Sequence, residues 1–366
     1  MDLIAAGGSL LIMLIAIYIL AIMTDEYFIP SLDHISGLLK LPSNVAGASL
    51  MAMGSSAPEL AIAMTALFQG SGEHSDVGIG TIVGSAVFNI LVITGASALA
   101  RPAKITLSVV LRDCLVYVTS IVLLLITFSD GKIHPFEALT FLLLYAFYLL
   151  ILYKWNSWFP EETLAAAEHG EEENKQSQDA TELSPGNIMG SLKHWLIKFL
   201  GIFAGEVEKS YLRVFFVSIA VIIGLSWVLV KSVIIFGDAT AIPPVIVALT
   251  LLAAGTSAPD MISSVVVARQ GRGDMAVANA VGSNIFDILI GLGLPWLIAM
   301  GMGMMTGGHI FVEVGTANLL SSTLVLLGTV FVLFIFLYTE RTLSRKEGGI
   351  LIFLYLIYVL WIVLWG

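Results

Sequence analysis

Apolar residues run along this chain in long blocks, without the short alternation that marks half-buried strands or amphipathic helices. Ten blocks stand out: about 3–23, 43–68, 77–100, 106–128, 136–155, 211–235, 242–268, 275–300, 315–338 and 349–365. A helix needs roughly 20 mainly apolar residues to cross hydrocarbon, so the pattern predicts ten membrane spans. No Lys or Arg precedes the first block and its apolar run is full length, so it is expected to be a span and not a secretion signal. One polar stretch, about 156–209, interrupts the series. Its first half carries a run of acids from Glu161 to Glu182 and reads as a linker. Its second half sets Ile188, Leu192, Trp195, Phe199 and Phe203 at helical spacing, with Lys193 and Lys198 between them. That pattern predicts an amphipathic helix, either lying on the membrane face or packed beneath the bundle.

Composition agrees. Hydrophobic residues make up 58% of the chain and charged residues 12%, with mean hydropathy +0.95, which excludes a soluble domain. The one cysteine, Cys114, excludes a disulfide scaffold and thiolate metal sites. A net charge of -10 argues against nucleic acid as a partner. The cations also test the span count. With the N-terminus outside, only Lys132 and Lys231 of the 17 Lys and Arg fall outside. The bias predicts ten spans with both termini extracellular or periplasmic and the 156–209 loop cytoplasmic.

A repeat divides the chain. Residues 49–60 read SLMAMGSSAPEL and 250–261 read TLLAAGTSAPDM; residues 78–90 read GIGTIVGSAVFNI and 276–288 read AVANAVGSNIFDI. Each copy covers a helix pair, about 43–100 and 242–300, within five-span halves 1–155 and 210–366. An odd number of spans per half turns the second copy upside down. The expected fold is therefore an all-α polytopic membrane protein of two inverted-topology repeats with broken helices, the arrangement of secondary transporters.

The repeated motif carries the chemistry. Pro58 and Pro259 lie inside spans and free the carbonyls four residues back, at Gly54 and Gly255. A carboxylate follows each, Glu59 and Asp260. An acid at a span centre costs roughly 2.5–3.5 kcal/mol to insert and marks a functional position. Ser55 and Ser56 in one copy, Thr256 and Ser257 in the other, set hydroxyls beside them. The second helices add Ser85 with Asn89 and Ser283 with Asp287, each pair four apart on one face, and Gly84 and Gly282 are expected to permit close helix approach. Pooled, these are oxygen donors suited to hard cations. No His or Cys falls in the motif, which argues against transition metals. Asp25, Glu26 and Asp113 are expected near span ends, and the six histidines in loops or near ends.

The motifs at 54–59 and 255–260, with Asp25–Leu32, Val77–Ser85 and Gly282–Asp287, resemble the paired alpha repeats of the cation/Ca²⁺ exchanger superfamily, most closely its K⁺-dependent Na⁺/Ca²⁺ branch. The resemblance implies a ten-helix exchanger. It implies Glu59 and Asp260 as central Ca²⁺ and Na⁺ ligands, with Ser55, Ser56, Ser85, Thr256, Ser257 and Ser283 and the carbonyls of Ala52 and Ala253 as flanking ligands. It also implies that Asp287, opposite Asn89, goes with K⁺ co-transport, although K⁺-independent microbial relatives carry Asp there too. The long segments of animal members are missing, which suggests a microbial protein. The expected activity is Na⁺ exchange for Ca²⁺, with K⁺ co-transport, in the plasma membrane. No cofactor and no protein partner are implied beyond the transported ions and the bilayer. The alternatives are a Ca²⁺/H⁺ antiporter or a K⁺-independent exchanger. An enzyme is not expected, because the motif offers no general base beside Ser56.

Overall fold

A computed structural model describes residues 2–39, 50–69, 74–104, 107–158, 188–271, 273–306, 311–340 and 342–365. The chain opens with α1 (Leu3–Met23), a π-helical turn at Thr24–Phe28 and α2 (Ile29–Leu39). The apolar pattern predicts a span that ends at 23, yet the helix continues to Leu39. The π turn widens the backbone just ahead of Pro30, whose missing N–H and bulky ring would otherwise break a helix there. Next come α3 (Ala52–Ser55) and α4 (Ala57–Phe68), separated at Ser56. Then α5 (Ser75–Phe88) leads through a π turn at Asn89–Ile93 into α6 (Thr94–Ala100). The first half closes with β1 (Ala103–Lys104), α7 (Leu107–Thr127), β2 (Lys132–Ile133) and α8 (Pro135–Trp158).

The predicted linker, Glu161 to Glu182, lies outside the described residues. Beyond it stand α9 (Ile188–Ala204) and α10 (Val207–Thr240), with a kink at Ser210 in α10. The second half repeats the plan of the first. α11 (Pro244–Val247), a π turn at Ala248–Leu252 and α12 (Ala253–Thr256) precede α13 (Ala258–Arg269). α14 (Gly273–Phe286) passes through a π turn at Asp287–Leu292 into α15 (Gly293–Thr306). β3 (Val312–Glu313), α16 (Thr316–Glu340), β4 (Thr342–Leu343) and α17 (Arg345–Trp365) complete it.

Among the described residues, eight helices are long and apolar enough to cross a membrane, and the pair Pro244–Thr256 and Ala258–Arg269, bent by 44°, makes a ninth. The expected span at 43–68 falls partly outside the described residues, and its described part holds α3 and the shorter apolar helix α4. Outward faces are apolar as well as inward ones. On α17, Leu351, Tyr358 and Ile362 are buried while Phe353, Leu356, Leu360 and Leu364 are exposed, as a lipid-facing helix requires.

The chain forms two compact units. The larger comprises Met1–Ile17, Ser56–Tyr145 and Ile223–Gly366. At its centre α5 is buried at every residue except Asp76. It packs on α4, on α16 and on the segment from Ala248 through α12. Glycines make this possible. A β-carbon at Gly78 would lie 2.7 Å from the Ala63 Cα, and one at Gly84 would collide with the Leu249 carbonyl. The two copies of the repeat also interlock: α4 packs on the π turn Asp287–Leu292 and on α15, while α13 packs on the π turn Asn89–Ile93 and on α6. Two antiparallel ribbons tie loops together, β1 with β4 and β2 with β3. Asp113, expected at a span end, is buried on α7, where Arg112 Nε lies 2.8 Å from its carboxylate; the adjacent guanidinium compensates the charge.

The smaller unit comprises Tyr18–Ser55 and Ala146–Ile222. The predicted amphipathic helix is α9. Lys193 Nζ lies 2.7 Å from Glu26 Oε1, and the Tyr27 hydroxyl donates to the Ile197 carbonyl at 2.5 Å. Glu26 is thus not at a helix end but within the continuous run 3–39, held by a cation from the loop. Trp195, Phe199, Ile202 and Phe203 stay exposed, an apolar face of the kind that enters a membrane interface. His34, expected in a loop or near an end, lies within α2, and its ring stacks on Tyr211 at 5.8 Å.

Candidate cation-binding site

The site begins with two matching breaks. Ser56 (φ -92°, ψ 7°) and Ser257 (φ -86°, ψ -2°) separate two helices at equivalent places. In each copy proline follows two residues later and lies in the first turn of the next helix, where its missing N–H is harmless. Glu59 and Asp260 occupy those same first turns. The positive end of a helix dipole favours a carboxylate there.

Side chains cross between copies. The Thr256 side chain lies against the Glu59 carboxyl, and the Ser56 side chain against that of Asp287. Asp287 also lies close enough to feel the charges of Glu59 and Asp260. Each copy therefore sets a hydroxyl beside the other copy's acid. Glu59 is 3% exposed and Asp287 2%. Even so, Glu59 Oε2 and Asp287 Oδ1 have no hydrogen-bond partner, and neither does Asn89 Oδ1. A buried oxygen without a partner loses the full cost of its desolvation. All three are acceptors, the atom type that coordinates a hard cation. Among the described residues, no three His, Cys, Asp or Glu side chains could hold a metal by themselves. Any cation here draws on hydroxyl, amide and carbonyl oxygens as well as carboxylates.

The larger unit brings together Ser56, Glu59, Thr256, Asp260 and Asp287, and Asn89 is buried in the same unit. Ser257, Ser283 and Ala253 are also buried in it. The hydroxyls of Ser85 and Thr256 have backbone acceptors in their own helices, Ile82 at 3.0 Å and Ala253 at 3.3 Å. Ser55 and Ala52 belong to the smaller unit, where the Ser55 hydroxyl donates to the Ala52 carbonyl at 3.4 Å, the same contact that Thr256 makes with Ala253. The copies differ in enclosure: Glu59 is sealed, whereas Pro259 and Asp260 are half-buried. Gly84 makes the close approach expected of it, but Gly282 does not, for a β-carbon there would meet nothing within 4 Å. The reason is the same asymmetry: α14 is partly exposed where α5 is enclosed.

Two residues of this region were not among the site residues expected from the sequence. Asn284 is fully buried and bonds Asn89, the Ala86 carbonyl and the Tyr117 hydroxyl. Its signal lay in the repeat itself, since Asn284 stands where the first copy has Ala86. Tyr117 lies in an apolar span with no local signal.

Comparisons place these features among known proteins. The family described as sodium/calcium exchanger protein matches residues 9–154 and 210–364, the two halves either side of the polar loop. A human protein named sodium/potassium/calcium exchanger 5 is 33% identical, over 96% of this chain and 82% of its own length. The human sodium/potassium/calcium exchanger 4 is 29% identical, over 96% and 81%. Among solved structures, the sodium-calcium exchanger NCX_Mj superposes with TM-score 0.55 at 21% identity, covering 98% of this chain and 99% of that one. The H⁺/Ca²⁺ exchanger CAX gives TM-score 0.64 at 14% identity, over 98% and 82%. At these identities the two structures speak to fold alone.

Proposed function

The chain belongs to the sodium/calcium exchanger protein family, and from that premise we propose that it is a secondary active antiporter exchanging Na⁺ for Ca²⁺, with K⁺ carried alongside Ca²⁺. The observation that carries this reading is the pair of buried acids, Glu59 and Asp287, each with one oxygen left without a partner beside a hydroxyl from the opposite repeat. Glu59 and Asp260 are the central ligands. Ser56, Ser85, Asn89, Thr256, Ser257, Ser283 and the Ala253 carbonyl flank them, and on the sequence reading Ser55 and the Ala52 carbonyl complete the set.

Charge sets the mechanism. With Glu59, Asp260 and Asp287 ionised, the site carries three negative charges. One Ca²⁺ with one K⁺, or three Na⁺, neutralises it. Empty, it holds buried charges without partners, which costs several kcal/mol. The loaded forms cross and the empty form does not, so flux in one direction requires flux in the other.

Loop contacts support ten crossings in two inverted halves. Asp2 bonds the Ala239 carbonyl, and Gly315 bonds the Asp76 carboxylate. Arg101 reaches the Arg269 carbonyl. Together with the two ribbons, each contact joins loops separated by an even number of spans, as loops on one membrane face must be. Exchanging the halves turns the β1–β4 ribbon into the β2–β3 ribbon. The face carrying 101–104, 269–271 and 342–344 belongs to the loops rich in Lys and Arg and is assigned to the cytoplasm. Alternating access then rocks the halves about a fixed mid-membrane site.

The test is ⁴⁵Ca²⁺ uptake into Na⁺-loaded proteoliposomes. Uptake is expected only with an outward Na⁺ gradient and rises several-fold with external K⁺; in Asp287→Asn the response to K⁺ disappears. Uptake driven by a pH gradient without Na⁺ would replace this reading with Ca²⁺/H⁺ antiport. Na⁺-driven uptake indifferent to K⁺ would leave a K⁺-independent exchanger.

A further inference from the structure

We infer that Asn284 is a positioning residue of the cation site: it locks the Asn89 amide so that the Asn89 carbonyl oxygen, and not its NH₂ group, faces the transported ion. The inference rests on the proposed site and extends it to a residue outside the ligand set. The argument starts from an acceptor that cannot switch roles. Asn284 Nδ2 lies 3.1 Å from the Ala86 carbonyl, and a carbonyl oxygen only accepts. Asn284 must therefore direct its NH₂ to Ala86, and its second N–H donates to the Tyr117 hydroxyl at 2.8 Å. That leaves Asn284 Oδ1 facing Asn89, where it accepts from Asn89 Nδ2 at 2.8 Å. With its NH₂ thus engaged, Asn89 has one orientation left. Its Oδ1 points away from Asn284, buried and without a partner. The next residue, Ile90, belongs with Asn89 to the π turn Asn89–Ile93, the counterpart of the turn that begins at Asp287.

A free Asn side chain flips its amide and would present donors as readily as an acceptor; a cation rejects donors. Fixing the flip removes that competing state, so the site binds more tightly with no new ligand. The lock crosses the repeats, since Asn89 and Ala86 come from the first copy and Asn284 from the second. The first copy has Ala86 where the second has Asn284, so the device occurs once and acts on the neutral member of the Asn89–Asp287 pair.

Equilibrium binding of ⁴⁵Ca²⁺ to detergent-solubilised protein tests it, with competition by Na⁺ and K⁺, so the readout does not depend on exchange. Asn284→Ala and Asn284→Leu, the second keeping the side-chain bulk, are expected to weaken cation binding on the order of tenfold. In an Asn89→Ala background the same substitutions should do nothing further, because the group they orient is gone. Unchanged affinity in the variant that folds overturns the inference, and so does an equal further loss in the Asn89→Ala background, which would mark Asn284 as a structural residue. Wild-type protein that binds none of the three ions overturns it together with the proposed site. Intact binding and a normal Asn284 effect without Na⁺-driven flux would instead leave the positioning role standing and remove only the exchange reading.

Discussion

Gly84 and Gly282 hold matching places in the repeat but opposite surroundings. A β-carbon at Gly84 would run into the Leu249 backbone and lie 2.8 Å from the Ala253 side chain, while one at Gly282 meets nothing. Backbone cannot yield as a flexible side chain can, so Gly84→Ala is expected to destabilise the protein by about 1–3 kcal/mol. Gly282→Ala should change stability by less than about 0.5 kcal/mol. Melting curves of the solubilised variants make the comparison, and equal losses would contradict the asymmetry. At this scale the sequence was informative wherever a polar group sits in an apolar run. Glu59, Asp260 and Asp287 each carry an insertion cost that a packing role alone does not explain. The same logic could not reach Tyr117, nor show that Glu59 pairs with Thr256 and Asp287 with Ser56, because those partners meet across the two copies of the repeat.

Two kinds of helix irregularity build the site, and only one leaves a mark in the sequence. Proline announces the breaks at Ser56 and Ser257. The π turns at Thr24–Phe28, Asn89–Ile93, Ala248–Leu252 and Asp287–Leu292 have no composition of their own, since such a turn needs only one extra residue in its hydrogen-bonded loop. Yet Asn89 and Asp287 each begin one, and Thr24–Phe28 carries the helix past its expected end. The breaks make a direct prediction. Pro259→Ala returns a backbone N–H that can bond the Gly255 carbonyl and removes the ring that clashes with it. The 44° bend should relax, withdrawing Asp260 and the Ala253 carbonyl from their places. Ca²⁺ flux is expected to fall by about tenfold or more while thermal stability holds or rises. Undiminished flux in that variant would mean the bend is a packing kink and no part of the site.

For the whole molecule, hydropathy marked the long apolar helices, and the distribution of Lys and Arg proposes which way they run, because both report the cost of moving groups between water and hydrocarbon. They could not show the β1–β4 and β2–β3 ribbons, which depend on loops meeting across many spans. Those ribbons and the cation bias yield one orientation, which reporter cysteines check: Cys114 is buried and leaves little background. A membrane-impermeant maleimide should label Ser129→Cys on intact cells and Lys346→Cys only after permeabilisation. The reverse pattern would invert the assignment, and labelling of both from one side would break the span count. The central claim is that acids from two oppositely oriented halves form one cation site. Na⁺-driven ⁴⁵Ca²⁺ uptake by proteoliposomes bearing Glu59→Gln or Asp260→Asn tests it most directly. Loss of uptake in both variants, with normal amounts of folded protein, is the predicted result; near-normal uptake in either would contradict a shared site.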